Sequence, residues 1–318
     1  VWLVKYVPVE TKIGFMRIRR MSFPFSAVLS ILSVVLFLTV GMNFGIDFKG
    51  GTFIELQAKA ERADVADIRN RANALGFGDV EVQEFGTPRD VSVRVAIQEG
   101  GEAGQQAVVA RMREAFVADY DFRRTEVVGP RVSGELVQSG TIGVLLAILG
   151  VLIYLWFRFE WQFAVGAVIA TMHDLVLTIG FFVVTQLEFN MTSIAAILTI
   201  LGYSLNDTVV VYDRIRESLR KYKRLPISAI LDDGVNATLS RTILTGLTTF
   251  FVLIALAALG GEVIKGFALA ILFGLVVGTY SSVFIAAPIL IYLGLTATGD
   301  AEAAKKAANA AEGAAAGR

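Results

Sequence analysis

Leu198 to Glu217 reads LTILGYSLNDTVVVYDRIRE, an apolar run of membrane-span length with Asn206 and Asp207 inside it. A basic, charged exit follows from Asp213 and Arg214. An ionisable group at bilayer depth costs roughly 2.5–3.5 kcal/mol on insertion scales. The rest of the chain must therefore supply a partner for Asp207 or a reason to bind and release a proton there.

The composition fits a polytopic membrane protein. Of 318 residues, 55% are hydrophobic and 18% charged, and several apolar runs reach the roughly 18–20 residues needed to cross a hydrocarbon core. A net charge of zero gives no reason to expect nucleic acid as a partner. The absence of cysteine excludes disulfides, iron–sulfur clusters and thiol catalysis. The lone His173 excludes the usual multi-histidine metal sites, though not every carboxylate site. No metal or cofactor is expected.

Six spans are predicted, at 23–42, 139–157, 163–185, 191–212, 240–259 and 266–293, with Pro288 expected to kink the last or end it early. The lead, 1–22, carries Lys5, Lys12, Arg17, Arg19 and Arg20 against Glu10 alone. It lacks a convincing cleavage site, so the first span reads as an uncleaved helix. The region 43–138 has the periodicity of a soluble domain. Strands are predicted at Thr52–Ala58, Val80–Phe85, Val91–Ile97 and Phe122–Val128, with helices at Asp64–Leu75 and Glu102–Phe116. The order β-α-β-β-α-β is the ferredoxin-like pattern. The loop 213–239 is the most basic, with Arg214, Arg216, Arg220, Lys221, Lys223 and Arg224. By the positive-inside rule that loop and both termini face the cytoplasm, and the ferredoxin-like domain lies outside. The Ala-rich tail, 299–318, is low-complexity.

Three spans carry polar stripes at helical spacing: Thr171, Asp174 and Thr178 with His173 beside them; Thr199, Tyr203 and Asn206 with Asp207 adjacent; and Arg241, Thr245 and Thr248. Such faces are expected to turn inward. Asp207 and Arg241 fall at similar depth toward the cytoplasmic ends of consecutive spans. Withdrawal from water favours a neutral acid and an adjacent guanidinium favours the carboxylate. An Asp207 whose partner approaches and withdraws is thus a proton carrier; one held permanently against Arg241 is a static pair fixing two helices. Both readings stay open on the residues alone. His173 and Asp174 are candidates for a minor part in the same path, or for helix packing. Gly274 and Gly278 form a GxxxG suited to a close helix contact. No Gly-x-Ser-x-Gly elbow accompanies the His–Asp dipeptide, so an intramembrane hydrolase is not expected and no catalytic residue is assigned.

Six motifs carry a resemblance: GIDFKGG (Gly45–Gly51), VGPRVSGEL (Val128–Leu136), FRFEWQFA (Phe157–Ala164), HD (His173–Asp174), LGYSLNDTVVVYDRIRE (Leu201–Glu217) and SRTILTGLTTF (Ser240–Phe250). In this order and these places the chain resembles the SecF type of the SecD/SecF family, within the resistance-nodulation-division superfamily. The resemblance implies an inner-membrane subunit packed pseudo-symmetrically against a SecD-like half. It also implies work with the SecY/SecE/SecG channel and the SecA motor, using protons to draw preprotein outward. The family's proton-pathway residues match Asp207 and Arg241, with Asn206, Asp174, His173 and Thr245 as secondary candidates. Two alternatives are a small-molecule/proton antiporter of the same superfamily and a scaffold that transports nothing.

Overall fold

The structure, a computed structural model, describes residues 11–78 and 80–296, with backbone only at Glu262 and Val263. The expected tail, 299–318, and the first ten residues of the lead lie outside the described residues. In chain order the elements are α1 (Phe15–Thr39), a one-turn α2 (Ile46–Lys49), β1 (Gly51–Ala58), α3 (Val65–Ala74), β2 (Val80–Glu84), β3 (Asp90–Val95), α4 (Gly101–Phe116) and β4 (Tyr120–Val128). There follow α5 (Pro130–Arg158), α6 (Trp161–Thr185), α7 (Met191–Lys221), α8 (Ile227–Leu259) and α9 (Gly261–Ser281), which runs through a π turn (Ser282–Ala286) into α10 (Ala287–Tyr292). Among the described residues six helical stretches are long and apolar enough to cross a membrane: α1, α5, α6, α7, α8, and α9 continued through α10. The chain is a multi-pass α-helical membrane protein with a small α+β unit between its first two spans.

Two compact units emerge. One takes in the described residues up to Met42, Leu146–Leu187 and the described residues from Thr192 onward; the other is Asn43–Leu145 with Glu188–Met191. The second holds a four-stranded antiparallel sheet in the order β2-β3-β1-β4. Strand alternation sends Ile54, Leu56, Val91, Val93 and Val95 to one face, where α3 and α4 bury Ile68, Val108, Met112 and Phe116 against them. Asp64 caps α3, accepting from the Asp67 amide at 2.9 Å, so the helix starts where the sequence offers the cap.

That unit also contains a segment from far along the chain, the α6–α7 connection. Phe189 exchanges backbone hydrogen bonds with Gly45 and with Asn43, both 2.8 Å. Its ring stacks on Phe48, centroids 5.6 Å apart, and meets Phe44 edge-on at 6.0 Å. Asp47 accepts from the Met191 amide at 2.9 Å, and Arg94 pairs with Glu188 at 3.5 Å. The GIDFKGG stretch is thus half of a clasp whose other half is Glu188–Met191. Phe189→Ala removes a buried ring at a cost of about 3 kcal/mol. It is expected to speed amide hydrogen exchange in residues 43–50 and 188–191 while the sheet stays protected.

Helices in the other unit outrun the predicted spans. The stretch 213–239, expected as a basic loop, is helical except around Tyr222–Pro226: α7 continues to Lys221 and α8 begins at Ile227. Hydropathy registers depth in a bilayer, whereas the backbone ladder continues as long as a face remains to be buried. Here Ile215 packs against Gly234, whose absent side chain leaves room for it, and Ser218 donates to Asp233 at 2.8 Å. The lead is anchored too. Asn236 brackets Ile13 through its backbone N–H and C=O, and Asp232 accepts from the Met16 amide at 2.9 Å, capping α1 from another helix.

Candidate functional site

The core of the helical unit is aromatic and aliphatic around Phe159, Phe163 and Tyr212, and the polar groups sit in pockets within it. The last span explains one of them. Pro288 has no N–H, so the Phe284 carbonyl four residues earlier lacks its usual i+4 α-helical donor. The chain does not break there as expected; it widens into the π turn. Ser22 of α1 donates to the Phe284 carbonyl at 3.1 Å, and Tyr212 of α7 donates to that of Ala286 at 2.9 Å. A carbonyl left bare in an apolar core costs about 1–3 kcal/mol. Tyr212→Phe keeps the ring and removes one buried hydrogen bond, so it should lower stability by about 0.5–1.5 kcal/mol, read as a lower unfolding temperature in detergent.

Asp207 lies on the buried face of α7, 8% exposed. No ion pair or hydrogen bond joins it to Arg241, although Arg241 is the charge that acts on it electrostatically. The two charges influence each other without an ion-pair contact. Asp207 instead borders a narrow cleft with Tyr203, Ser204, Gly274, Leu275, Gly278 and Thr279, too tight to admit a water. Gly274 and Gly278 make that closeness possible. A Cβ on Gly274 would meet Ile200 at 2.4 Å, and one on Gly278 would meet the Ser204 Cβ at 3.0 Å. The GxxxG is a contact surface between α9 and α7.

The polar stripes divide differently from the expectation that all turn inward. Thr199, Asn206, Arg241, Thr245 and Thr248 are exposed in this chain. Thr199, Thr245 and Thr248 donate to carbonyls one turn back in their own helices, which satisfies a hydroxyl cheaply without building a path between helices. Tyr203 reaches across to Thr249 of α8 at 2.5 Å. Asp213 forms a half-exposed pair with Arg158, 2.7 Å to each oxygen, and Arg214 pairs with Glu217.

The deepest polar cluster is the His–Asp dipeptide. Asp174 is 0% exposed. Its Oδ1 lies 3.0 Å from Nδ1 of His173, and its Oδ2 accepts from Ser281 of α9 at 2.7 Å and from Ser204 of α7. Three helices therefore converge on one carboxyl group. In the sequence Asp174 is a secondary candidate, and neither Ser204 nor Tyr212 stands out. Ser204 stands three positions before Asp207, on the same face; that offset was the available signal.

Residues 108–296 match the family model described as protein export membrane protein SecD/SecF, C-terminal, and residues 35–61 match the SecD/SecF GG motif. Among curated proteins, the chain is 41% identical over 292 residues to protein translocase subunit SecF of Rickettsia akari, covering 91% of this chain and 94% of that one. Identity to SecF of Cereibacter sphaeroides is 42% over 318 residues, covering 96% and 98%. Identity to protein translocase subunit SecDF of Brucella abortus is 47% over 302 residues, covering 94% of this chain and 40% of that longer one. Among solved structures, SecDF of Thermus thermophilus, described as a translocon-associated membrane protein, superposes with a TM-score of 0.82 at 32% identity, over 90% of this chain and 39% of that one. A SecDF chain in a super-membrane-facing form gives 0.67 at 31% identity, over 94% and 40%. The chain thus spans about two fifths of the SecDF proteins it matches and nearly all of the SecF ones.

Proposed function

The chain belongs to the SecD/SecF family of protein export membrane proteins, and from that premise we propose that it is the SecF-type half of a proton-driven export unit. A SecD-like half is its direct partner. The pair assists the SecY/SecE/SecG channel and the SecA motor, converting the proton gradient into outward movement of preprotein. No bond-making chemistry is assigned to it; the work is ion movement coupled to helix movement.

The observation that carries this reading is Asp207, a carboxylic acid buried in a span and making no ion pair with Arg241, the charge that acts on it. A static pair would have its charges in contact, since burying them apart costs several kcal/mol per ion. A carrier needs them separable. We assign Asp207 and Arg241 to the proton path, with Asn206 and Thr245 at its exposed edge.

That edge also supports the partner. Arg241, Asn206 and Thr199 are exposed on spans that would otherwise present them to lipid, where a cation is costly. A SecD-like half seated on α7 and α8 would cover them and bring its own acid to Arg241. The two SecDF structures fit this chain unequally at nearly equal identity, as expected of an architecture that rearranges. Charge bias supports a cytoplasmic N-terminus and α7–α8 turn, an extracytoplasmic ferredoxin-like unit, and a home in the inner membrane. The test is co-purification. The tagged chain should bring down a SecD-like subunit and the channel, and Arg241→Glu should release the SecD-like subunit first. Recovery of neither from native membranes would overturn the assignment.

A further inference from the structure

Asp174 is a carboxyl group with no contact to solvent and, among the described residues, no arginine or lysine within ion-pair distance. Its neighbours are His173 on its own helix, Ser204 on α7 and Ser281 on α9. Tyr280 of α9 lies beside the imidazole, ring centroids 6.3 Å apart, and its hydroxyl meets Ser26 of α1 at 3.0 Å. The charge states of His173 and Asp174 can be counted. With no proton on the pair beyond the one on Nδ1, the cluster carries −1; with one more it is neutral. A lone buried charge costs several kcal/mol, so the pair has a resident exchangeable proton. The Nε2 of His173 is buried with no hydrogen-bond partner. Such an orphan costs about 1–3 kcal/mol and calls for an account, which a site that changes protonation supplies.

Ser204 joins this cluster to the first one. Its hydroxyl donates to Asp174, and it also lines the cleft that Asp207 borders. We infer that Asp174 is a second proton-binding group of the transport path, and that Ser204 is the positioning residue that hands protons between Asp207 and Asp174. In the transfer, protonated Asp207 gives its proton to the Ser204 oxygen, directly or through a water admitted when the cleft opens. Ser204 gives its own hydroxyl proton to Oδ2 of Asp174. Asp207 returns to carboxylate, Ser204 is regenerated and Asp174 becomes the acid. An Oδ2 that carries a proton donates back to Ser204 and keeps acceptor capacity for Ser281, so the transfer reverses the Ser204 hydrogen bond while Ser281 goes on holding Asp174 from α9.

This inference rests on the proton-driven reading above, and the test separates the two. The chain is reconstituted in liposomes with its SecD partner. Proton conduction is measured, and the infrared band of protonated carboxyl groups is titrated with pH. Two titrating bands are expected in the wild type. Asp207→Asn should remove one and Asp174→Asn the other, each lowering conduction by about 10²-fold, the low end of what a positioned proton donor contributes. Ser204→Ala should keep both bands, shift the midpoint of the Asp174 band and slow conduction. Wild-type conduction in Asp174→Asn, or a band that never titrates, overturns the inference while a silent Asp207→Asn band keeps the parent reading. Wild-type conduction in both Asn variants overturns the parent reading as well. If Asp174→Asn does not assemble, Ser204→Ala and Ser281→Ala decide: an unmoved midpoint in both overturns the inference.

Discussion

Asp207→Asn is expected to abolish the part of export that depends on the proton gradient and to leave the chain assembled. The substitution is nearly isosteric and keeps a polar head in the cleft, but an amide cannot take up and release a proton near neutral pH. In a static buried pair, deleting one charge strands the other and costs about 3–5 kcal/mol, so the variant would disappear from the complex. Here Asp207 touches no cation, and neutralising it removes a desolvation penalty without stranding a contact. The two accounts therefore predict opposite phenotypes. The measurement uses inverted membrane vesicles supplied with ATP, with and without an uncoupler, alongside the amount of complex recovered. Export should fall to its uncoupled level with recovery unchanged. Full gradient-dependent export in this variant would rule out the carrier role; loss of complex with residual coupling would favour the static pair.

Gly51→Ala should be the most damaging single methyl group in the ferredoxin-like unit. Gly51 opens β1 at a φ of +107°, and a Cβ there would sit 2.3 Å from the Val95 carbonyl oxygen on the neighbouring strand. Backbone in that region costs about 1–3 kcal/mol for a residue with a side chain. The clash adds to it, because its partner is main chain locked in the β1–β3 ladder by the Thr52–Val95 pairing. A loss of about 4 kcal/mol or more follows, a large share of the roughly 5–15 kcal/mol that holds a domain together. Gly50 is the control. Its φ of +66° carries the same backbone strain, but the nearest atom to an added Cβ is the tip of the Ile97 side chain at 2.8 Å, which can turn aside, so the variant lacks only the main-chain clash. Limited proteolysis of the intact complex should cut the unit readily in Gly51→Ala and slowly in Gly50→Ala. Equal resistance in the two variants would contradict the strand geometry argued here.

Most of this architecture is legible in the sequence because two periodicities carry it. Alternation in TFIELQA and VSVRVAI and the 3.6-residue spacing of Val108, Met112 and Phe116 are enforced by one shared core, so the βαββαβ order and nearly every boundary could be read directly. The six spans follow from hydropathy for the same reason. What could not be read lies where distant residues meet. Nothing local in GIDFKGG announces Phe189, and nothing local in HD announces Ser204 and Ser281, because hydrogen bonds between helices leave no period. The helical ends of α7 and α8 were missed for a different reason: charge marks where a span leaves the bilayer, while Ile215 and Gly234 keep the helices packed beyond that point. Asp207 stands out in the sequence by its energetic cost alone, which is local.

The clasp between GIDFKGG and the α6–α7 connection has a consequence for biosynthesis. Asp47 and the Met191 amide it holds are 144 positions apart. At about 5–20 residues per second, Phe189 and Met191 leave the ribosome roughly 7–30 seconds after the motif that receives them. They arrive only after α5 and α6 have been threaded into the bilayer. During that interval the sheet and its two helices can close, but Phe44 and Phe48 lack the ring that covers them. A nascent chain of this protein thus displays an aromatic patch until its third span is in place, and quality control that senses such patches has a fixed window in which to act on it.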